Sequence, residues 1–319
     1  MNQSKPTLFI FILSFCFGVA AESPIHVGHP VGVSNNFVTF LNDLHPGNRI
    51  GYRIHEHLPL EAGPVLESVT DMRVEPSEVQ RLIEKFSNAP GLYRIERPVT
   101  EEGWIPQDWE FYFAPVEDGI EVLWVVETKD RGLPMYYSAQ QCFRMSGKTN
   151  ADWRRKVAET PAFSEYGLWA EQEKEKLPLA SLSYFRVGGV WTPFPATFQK
   201  KLSRTPDGRM LEKIAGLTES EVERILDPQH PADFILDAEN GLMTRTNLEG
   251  GWLSGLYWER TTHLSDHHPA DCLHAIVNLG PIPPMSKRAI RGKIYWMNGD
   301  LEDLAVKWMS DFPSEGKSW

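Results

Sequence analysis

Among the three cysteines of this 319-residue chain there is no Cys-x-x-Cys pair. The sequence also has no Gly-rich phosphate loop, no Gly-x-Ser-x-Gly elbow and no His-Glu-x-x-His helix. Common nucleotide, serine-hydrolase and zinc-protease chemistries therefore lose their sequence support. Basic residues are short as well, with 32 Lys and Arg against 43 Asp and Glu and a formal charge of −11. Binding a phosphate backbone needs clustered cations that release counterions, so nucleic acid is not the expected partner. Beyond the first twenty or so residues no apolar run approaches the roughly 20 residues that a bilayer-spanning helix requires.

What is present is the balance of a folded protein: 41% hydrophobic residues, 24% charged, and 16 Phe, 11 Trp and 9 Tyr. That apolar content is too high for a disordered acidic tail. The chain opens with Lys5, an apolar run from Leu8 to Phe17 broken only by Ser14, and the small-residue ending Gly18-Val19-Ala20-Ala21. This is the pattern of a secretory signal peptide cleaved after Ala21. The expectation is a secreted or periplasmic protein with no membrane span after cleavage and a single domain over 22–319. Cleavage leaves Cys142 and Cys272. In an oxidising compartment they can form one disulfide closing a loop of about 130 residues, for about 4–5 kcal/mol on loop-closure entropy. The alternative is two buried thiols.

Short segments rich in β-branched and aromatic residues dominate, including Phe37–Leu41, Arg49–Ile54, Trp109–Ala114, Gly119–Glu127, Met135–Met145, Trp252–Arg260, Cys272–Asn278 and Arg288–Met297. Asp118-Gly119 and Asn240-Gly241 read as hairpin turns. Gly119–Glu127 places Ile120, Val122, Trp124 and Val126 on one face and Leu123 and Val125 on the other, as expected of a strand buried on both sides in a layered structure. Helices are few. Glu75–Ser87 carries an apolar stripe of Val79, Leu82, Ile83 and Phe86 behind Pro76. Asn150–Glu159, Glu219–Leu226 and an Asp300-capped segment to Phe312 follow. The predicted fold is mainly β, a large antiparallel β-sandwich with a few short peripheral helices.

Three clusters are candidates for chemistry. Thr261 to His274 holds His263, His267, His268 and His274 with Asp266, Asp271 and Cys272, suited to metal ligation or to acid and base roles, or else to a solvated turn-forming loop. His55-Glu56-His57 places two imidazoles on one face of a strand, with Glu61 following. Glu127-Thr-Lys-Asp130-Arg131, at the exit of the most convincing buried strand, is followed by Tyr136, Tyr137 and Arg144. Carboxylates and Arg fork to sugar hydroxyls while aromatic rings, Trp252 among them, stack on the apolar sugar face. Each of these aromatic residues also fits an ordinary sheet or core position.

Two resemblances carry implications. His55-x-His57 with Glu61, and Pro269-x-Asp271-x-x-His274-x-x-x-Asn278, resemble the two motifs of the cupins, with Asp271 standing where that motif has glycine. This resemblance implies a divalent metal held by His55, His57, Glu61 and His274. The C-terminal run Gly251-Trp-Leu-Ser-Gly-Leu-Tyr-Trp-Glu259, then Cys272-Leu-His274, Gly280-Pro-Ile-Pro-Pro-Met-Ser and Arg291–Asp300, is similar to the ending of galactose-mutarotase-like β-supersandwiches. That similarity implies a single domain with a cleft facing sugars, in which a His and a carboxylate move protons. Glu259, His263 and His267 are the candidates by location, although the usual Asn-His-aromatic sequence is missing.

The leading expectation is thus an exported carbohydrate-interacting protein, bound to a saccharide or a cell-envelope glycan and needing no cofactor. If it is an enzyme, it performs acid/base chemistry on a saccharide, of epimerase, lyase or hydrolase kind. Its catalytic candidates are Glu259, His263, His267, Glu127 and Asp130, and its substrate-binding candidates Arg131, Tyr137, Arg144 and Trp252. The alternatives are a cupin-like metal-dependent enzyme and a non-catalytic cell-envelope binding module.

Overall fold

A computed structural model describes residues 23–28, 37–44, 49–54, 60–61, 75–145, 182–194, 203–204, 210–211, 235–236, 240–247, 249–267 and 272–313. The predicted signal segment, His55, His57 and the helices expected over 150–159 and 219–226 lie outside these residues. None of the described helices is long and apolar enough to cross a membrane.

The chain is mainly β, and its strands form two large antiparallel sheets. The first sheet runs β1 (Ile25–Gly28), β2 (Phe37–Asn42), β3 (Arg49–Arg53), β8 (Tyr137–Arg144), β17 (Cys272–Asn278), β16 (Thr261–His267) and β13 (Ile235–Leu236), with β4 (Leu60–Glu61) also pairing β8. The second runs β10 (Val190–Pro193), β9 (Ser183–Val187), β14 (Met243–Thr246), β15 (Trp252–Trp258), β18 (Lys287–Asn298), β7 (Gly119–Thr128), β6 (Gln107–Val116) and β5 (Tyr93–Val99). A separate two-stranded ladder joins β11 (Ser203–Arg204) and β12 (Met210–Leu211).

Alternation along the strands decides which side chains fill the space between the sheets. Ile120, Val122, Trp124 and Val126 of β7 point into the common core with Phe40, Tyr52, Phe143, Leu273 and Val277 of the first sheet. Phe113 meets Phe40 and Tyr52 across the interface at ring separations of 5.8 and 5.9 Å. Trp124 sits edge-on to Trp109 at 4.8 Å and to Trp258 at 5.9 Å. These tryptophans are core material rather than a sugar platform. The opposite residues of β7, Leu123 and Val125, are covered by α1 (Pro76–Ser87) through Val79, Leu82 and Phe86. A second helix, α2 (Leu301–Asp311), packs through Leu304 and Trp308 on Leu253 and Tyr257 of β15 and Tyr295 of β18. Asp300 starts α2 by accepting from the amides of Glu302 and Asp303, while Asp303 accepts from the Asp300 amide.

Two readings of turn chemistry differ from the structure. Glu117-Asp118 does join β6 to β7, and Gly119 is required there: its φ is +154°, and a Cβ would lie 2.0 Å from the Ile294 carbonyl oxygen. Asn240-Gly241, by contrast, makes no hairpin. β13 belongs to the first sheet and β14 to the second, so this segment crosses between layers. Thr261–His267, which reads as a polar loop, is strand β16. It is tolerated inside the sandwich because its buried polar groups are satisfied. Thr262 Oγ1 donates to the Ile276 carbonyl at 3.1 Å, and Asp266 accepts from Arg245 of the facing sheet at 3.0 Å. Arg245 also donates to Ser183 Oγ at 2.7 Å, and this ion pair is 0% and 1% exposed.

Candidate functional site

The residues predicted from sequence divide among three places. The first is a cleft of about 1050 Å3 between α1 and two loops, one leaving β7 and one entering β18. Val79 and Ile83 of α1 and the prolines of Pro281–Pro284 give it an apolar lining, and Glu127, Arg131 and Lys287 supply charge. Glu127 ends the outward-facing row of β7 and stands opposite Lys287 in the ladder, at 3.0 Å. Arg131 is exposed in the loop that follows. Neighbouring Asp130 is exposed too, but is not part of the cleft lining.

The proline-rich wall of this cleft is fixed by buried side chains that grip its backbone. Arg260, whose φ is +66°, donates from Nε to the Asn278 carbonyl at 2.8 Å and from Nη2 to the Gly280 carbonyl at 2.5 Å. Burial pulls its pKa below the usual guanidinium value, partly offset by Glu259. Arg288 Nη2 holds the Pro281 carbonyl at 2.9 Å, and Thr128 Oγ1 holds that of Pro283 at 2.6 Å. Leu133 and Ile282 exchange backbone hydrogen bonds at 2.9 and 3.1 Å. Gly280 permits this closeness, since a Cβ there would meet the Pro134 carbonyl oxygen at 1.8 Å. Proline, which donates no backbone hydrogen bond, leaves these carbonyls to be held from outside.

The second place is the β15–β16 turn. Glu259 accepts from the Arg291 amide at 2.9 Å and from Arg291 Nε at 2.7 Å, and Arg291 in turn lies over the Phe312 ring at 5.0 Å. This bidentate clamp commits the carboxylate to structure. It lies on the outer side of the second sheet, whereas His263 lies on the outer side of the first, with Nδ1 3.1 Å from Thr262 Oγ1. Two sheets about 10 Å apart separate the pair proposed for proton transfer. The backbone of His267 is at the end of β16, opposite Cys272.

The third place is the outer face of the first sheet. The ladder sets Cys142 against His274 and Cys272 against Arg144. Inward-facing Phe143, Leu273 and Ala275 go to the core, so Cys142, Cys272, His274 and Arg144 share the opposite face. All four are buried. The sulfurs of Cys142 and Cys272 and a ring nitrogen of His274 lie within 4.8 Å of one another, and the sulfurs are not bonded. Arg144 also lies 6.0 Å from the Phe37 ring centroid.

The remaining candidates are dispersed. Tyr137 is a core residue whose hydroxyl accepts from the Ile105 amide at 3.0 Å and from Gln107 Nε2 at 3.3 Å; burial raises its pKa. It begins β8, while Arg144 ends it, about 24 Å away at a strand's rise. Trp252 starts β15 beside Asn298, at the end of β18 far from Lys287 and the cleft. Glu61 stands opposite Tyr137, five residues along β8 from the partner of His274, or about 17 Å. The structure therefore does not gather Glu61 and His274 at one point. No family model matches the chain, and no curated protein or solved structure matches it either.

Proposed function

We propose that this chain is an exported binding protein that takes a saccharide in the cleft between α1 and the Gly280–Ser286 wall. The observation that carries the reading is the presence of Glu127 and Arg131 in the lining of that cleft. Their carboxylate and guanidinium offer acceptors and donors to vicinal hydroxyls, and the proline and aliphatic lining offers an apolar surface to the C–H face of a sugar. The wall needs little reordering on binding, because its carbonyls are already held by Arg260, Arg288 and Thr128. The N-terminal signal pattern supports export, and the mutarotase-like closing strands support a sugar ligand.

Binding is favoured over acid/base catalysis because the proposed proton-transfer groups are divided. No histidine lines the cleft among the described residues, and Glu259 is clamped to Arg291. The test is calorimetry and thermal unfolding of the purified chain against neutral and acidic oligosaccharides. A ligand at a hundred times its Kd should stabilise the fold by about 2.7 kcal/mol. Arg131→Ala should abolish that shift while leaving the unliganded midpoint in place, since the side chain is exposed. Absence of any saccharide response, or a response that survives both Arg131→Ala and Glu127→Gln, overturns the assignment.

A further inference from the structure

We propose that Cys142, Cys272 and His274 bind a thiophilic cation of the zinc type across the junction of β8 and β17. The argument begins with register. Cys142 is directly opposite His274, and Cys272 is two residues along β17, diagonal to Cys142 on the same face. Diagonal neighbours in an antiparallel pair lie about 7–8 Å apart, somewhat less between their Cβ atoms, whereas a disulfide needs Cβ atoms about 3.8 Å apart and a sulfur separation near 2.05 Å. Joining the two sulfurs directly would require both strands to move, and the structure shows no such bond. A tetrahedral zinc ion with Zn–S near 2.3 Å and Zn–N near 2.0 Å holds its donors roughly 3.5–3.8 Å apart, within the 4.8 Å separation of these three atoms. A metal fits the diagonal spacing that a disulfide does not.

Charge and burial favour the same occupant. Thiols this deeply buried are poor redox or nucleophilic groups, which are partly exposed where they act. On binding, each thiol releases its proton to solvent. Two thiolates, a neutral imidazole and a divalent cation then sum to zero, the least costly state for a site from which water is excluded. Arg144 opposite Cys272 and Arg53 opposite Cys142 are the cations placed on this face by the ladder. A neutral complex spares them the full charge of the ion. Three protein donors leave the fourth tetrahedral position for a further ligand. The site lies on the other sheet from the cleft and is independent of what the cleft binds.

The test uses the full purified chain, prepared under reductant and without chelator, with Co2+ as the spectroscopic probe and elemental analysis for zinc. The expected result is one zinc per chain as purified. After its removal, one equivalent of Co2+ should give sulfur-to-cobalt charge-transfer absorption and intense tetrahedral ligand-field bands. Cys142→Ser and His274→Asn should each weaken Co2+ binding by at least about a hundredfold, while the fold is checked independently by circular dichroism. If those variants do not fold, the wild-type spectrum decides alone. The proposal is overturned if the reduced wild type, with both thiols titratable in denaturant, takes up no Co2+. It is equally overturned if the bound cobalt lacks the sulfur charge-transfer band, if folded variants bind as the wild type does, or if the native metal is copper.

Discussion

Replacing Asp266 by Ala should be among the most damaging single changes to this fold. The carboxylate is 1% exposed and lies 3.0 Å from an Arg245 guanidinium that is itself wholly buried between the sheets. Removing it takes a counter-charge from a cation that cannot reach water, and Ser183 Oγ, which accepts from Arg245 Nε at 2.7 Å, carries no charge. Losing one member of a buried pair costs about 3–5 kcal/mol, which multiplies the unfolded population roughly 150- to 5,000-fold. A domain of this kind has only about 5–15 kcal/mol in total. Urea unfolding followed by the fluorescence of the core tryptophans should show the unfolding free energy falling by that amount, through a lower midpoint with little change in slope. The double variant Arg245→Met with Asp266→Leu should recover most of the loss or exceed the wild type, since well-packed apolar pairs replace buried ion pairs at little cost. A single-variant loss below about 1 kcal/mol, or a double variant no better than Asp266→Ala, would refute the argument that charge compensation governs this position.

Two further outcomes follow from particular residues. Gly119→Ala must place a methyl 2.0 Å from the Ile294 carbonyl at a φ of +154°, so it should destabilise by at least about 1–3 kcal/mol, measurable by the same unfolding curves; a neutral result would show that the β6–β7 turn does not approach β18 as described. Tyr112 is the other. Its hydroxyl donates to Glu110 at 2.6 Å, and burial first, then the Glu110 carboxylate, push its pKa up to about 12. Because the unfolded value is about 10, the fold retains a proton that the unfolded chain releases. That contribution is complete below about pH 10 and is lost as pH rises toward 12. Stability measured over this interval should fall, less steeply in Tyr112→Phe, and equal slopes in the two proteins would contradict the assignment.

Local pattern carried much of the architecture. The alternation in Gly119–Glu127 is enough to place a strand buried on both faces, and β7 is indeed central, with Trp124 inward and Leu123 under α1. The Val79, Leu82, Ile83, Phe86 stripe and the Asp300 cap likewise mark both described helices. Strand β16 was not legible, because composition speaks for solvent while Asp266 is satisfied by Arg245 from another sheet, a partner no local window contains. The same limit hid the cysteine–histidine cluster. Cys142 and Cys272 suggested a disulfide and His274 a cupin ligand, but only the register of β8 on β17, some 130 residues away, brings the three together. Glu127 and Arg131 were legible at a strand exit. The proline wall that makes their surroundings concave was not, since it depends on Arg260 and Arg288 reaching over from neighbouring elements.

Each sheet is a union of two halves of the chain. Among the described residues, strands β1–β4 and β8 meet β13 and β16 only through β17, and strands β5–β7 meet β9, β10, β14 and β15 only through β18. The two closing strands are consecutive, and they enter different layers. During synthesis, therefore, β7 and β8 emerge more than a hundred residues before their partners, each exposing an unpaired edge until the last fifty residues arrive. For this nascent chain, completion is a single late event that closes both layers, and a ribosome stalled ahead of Cys272 would display each layer as two halves with no strand between them.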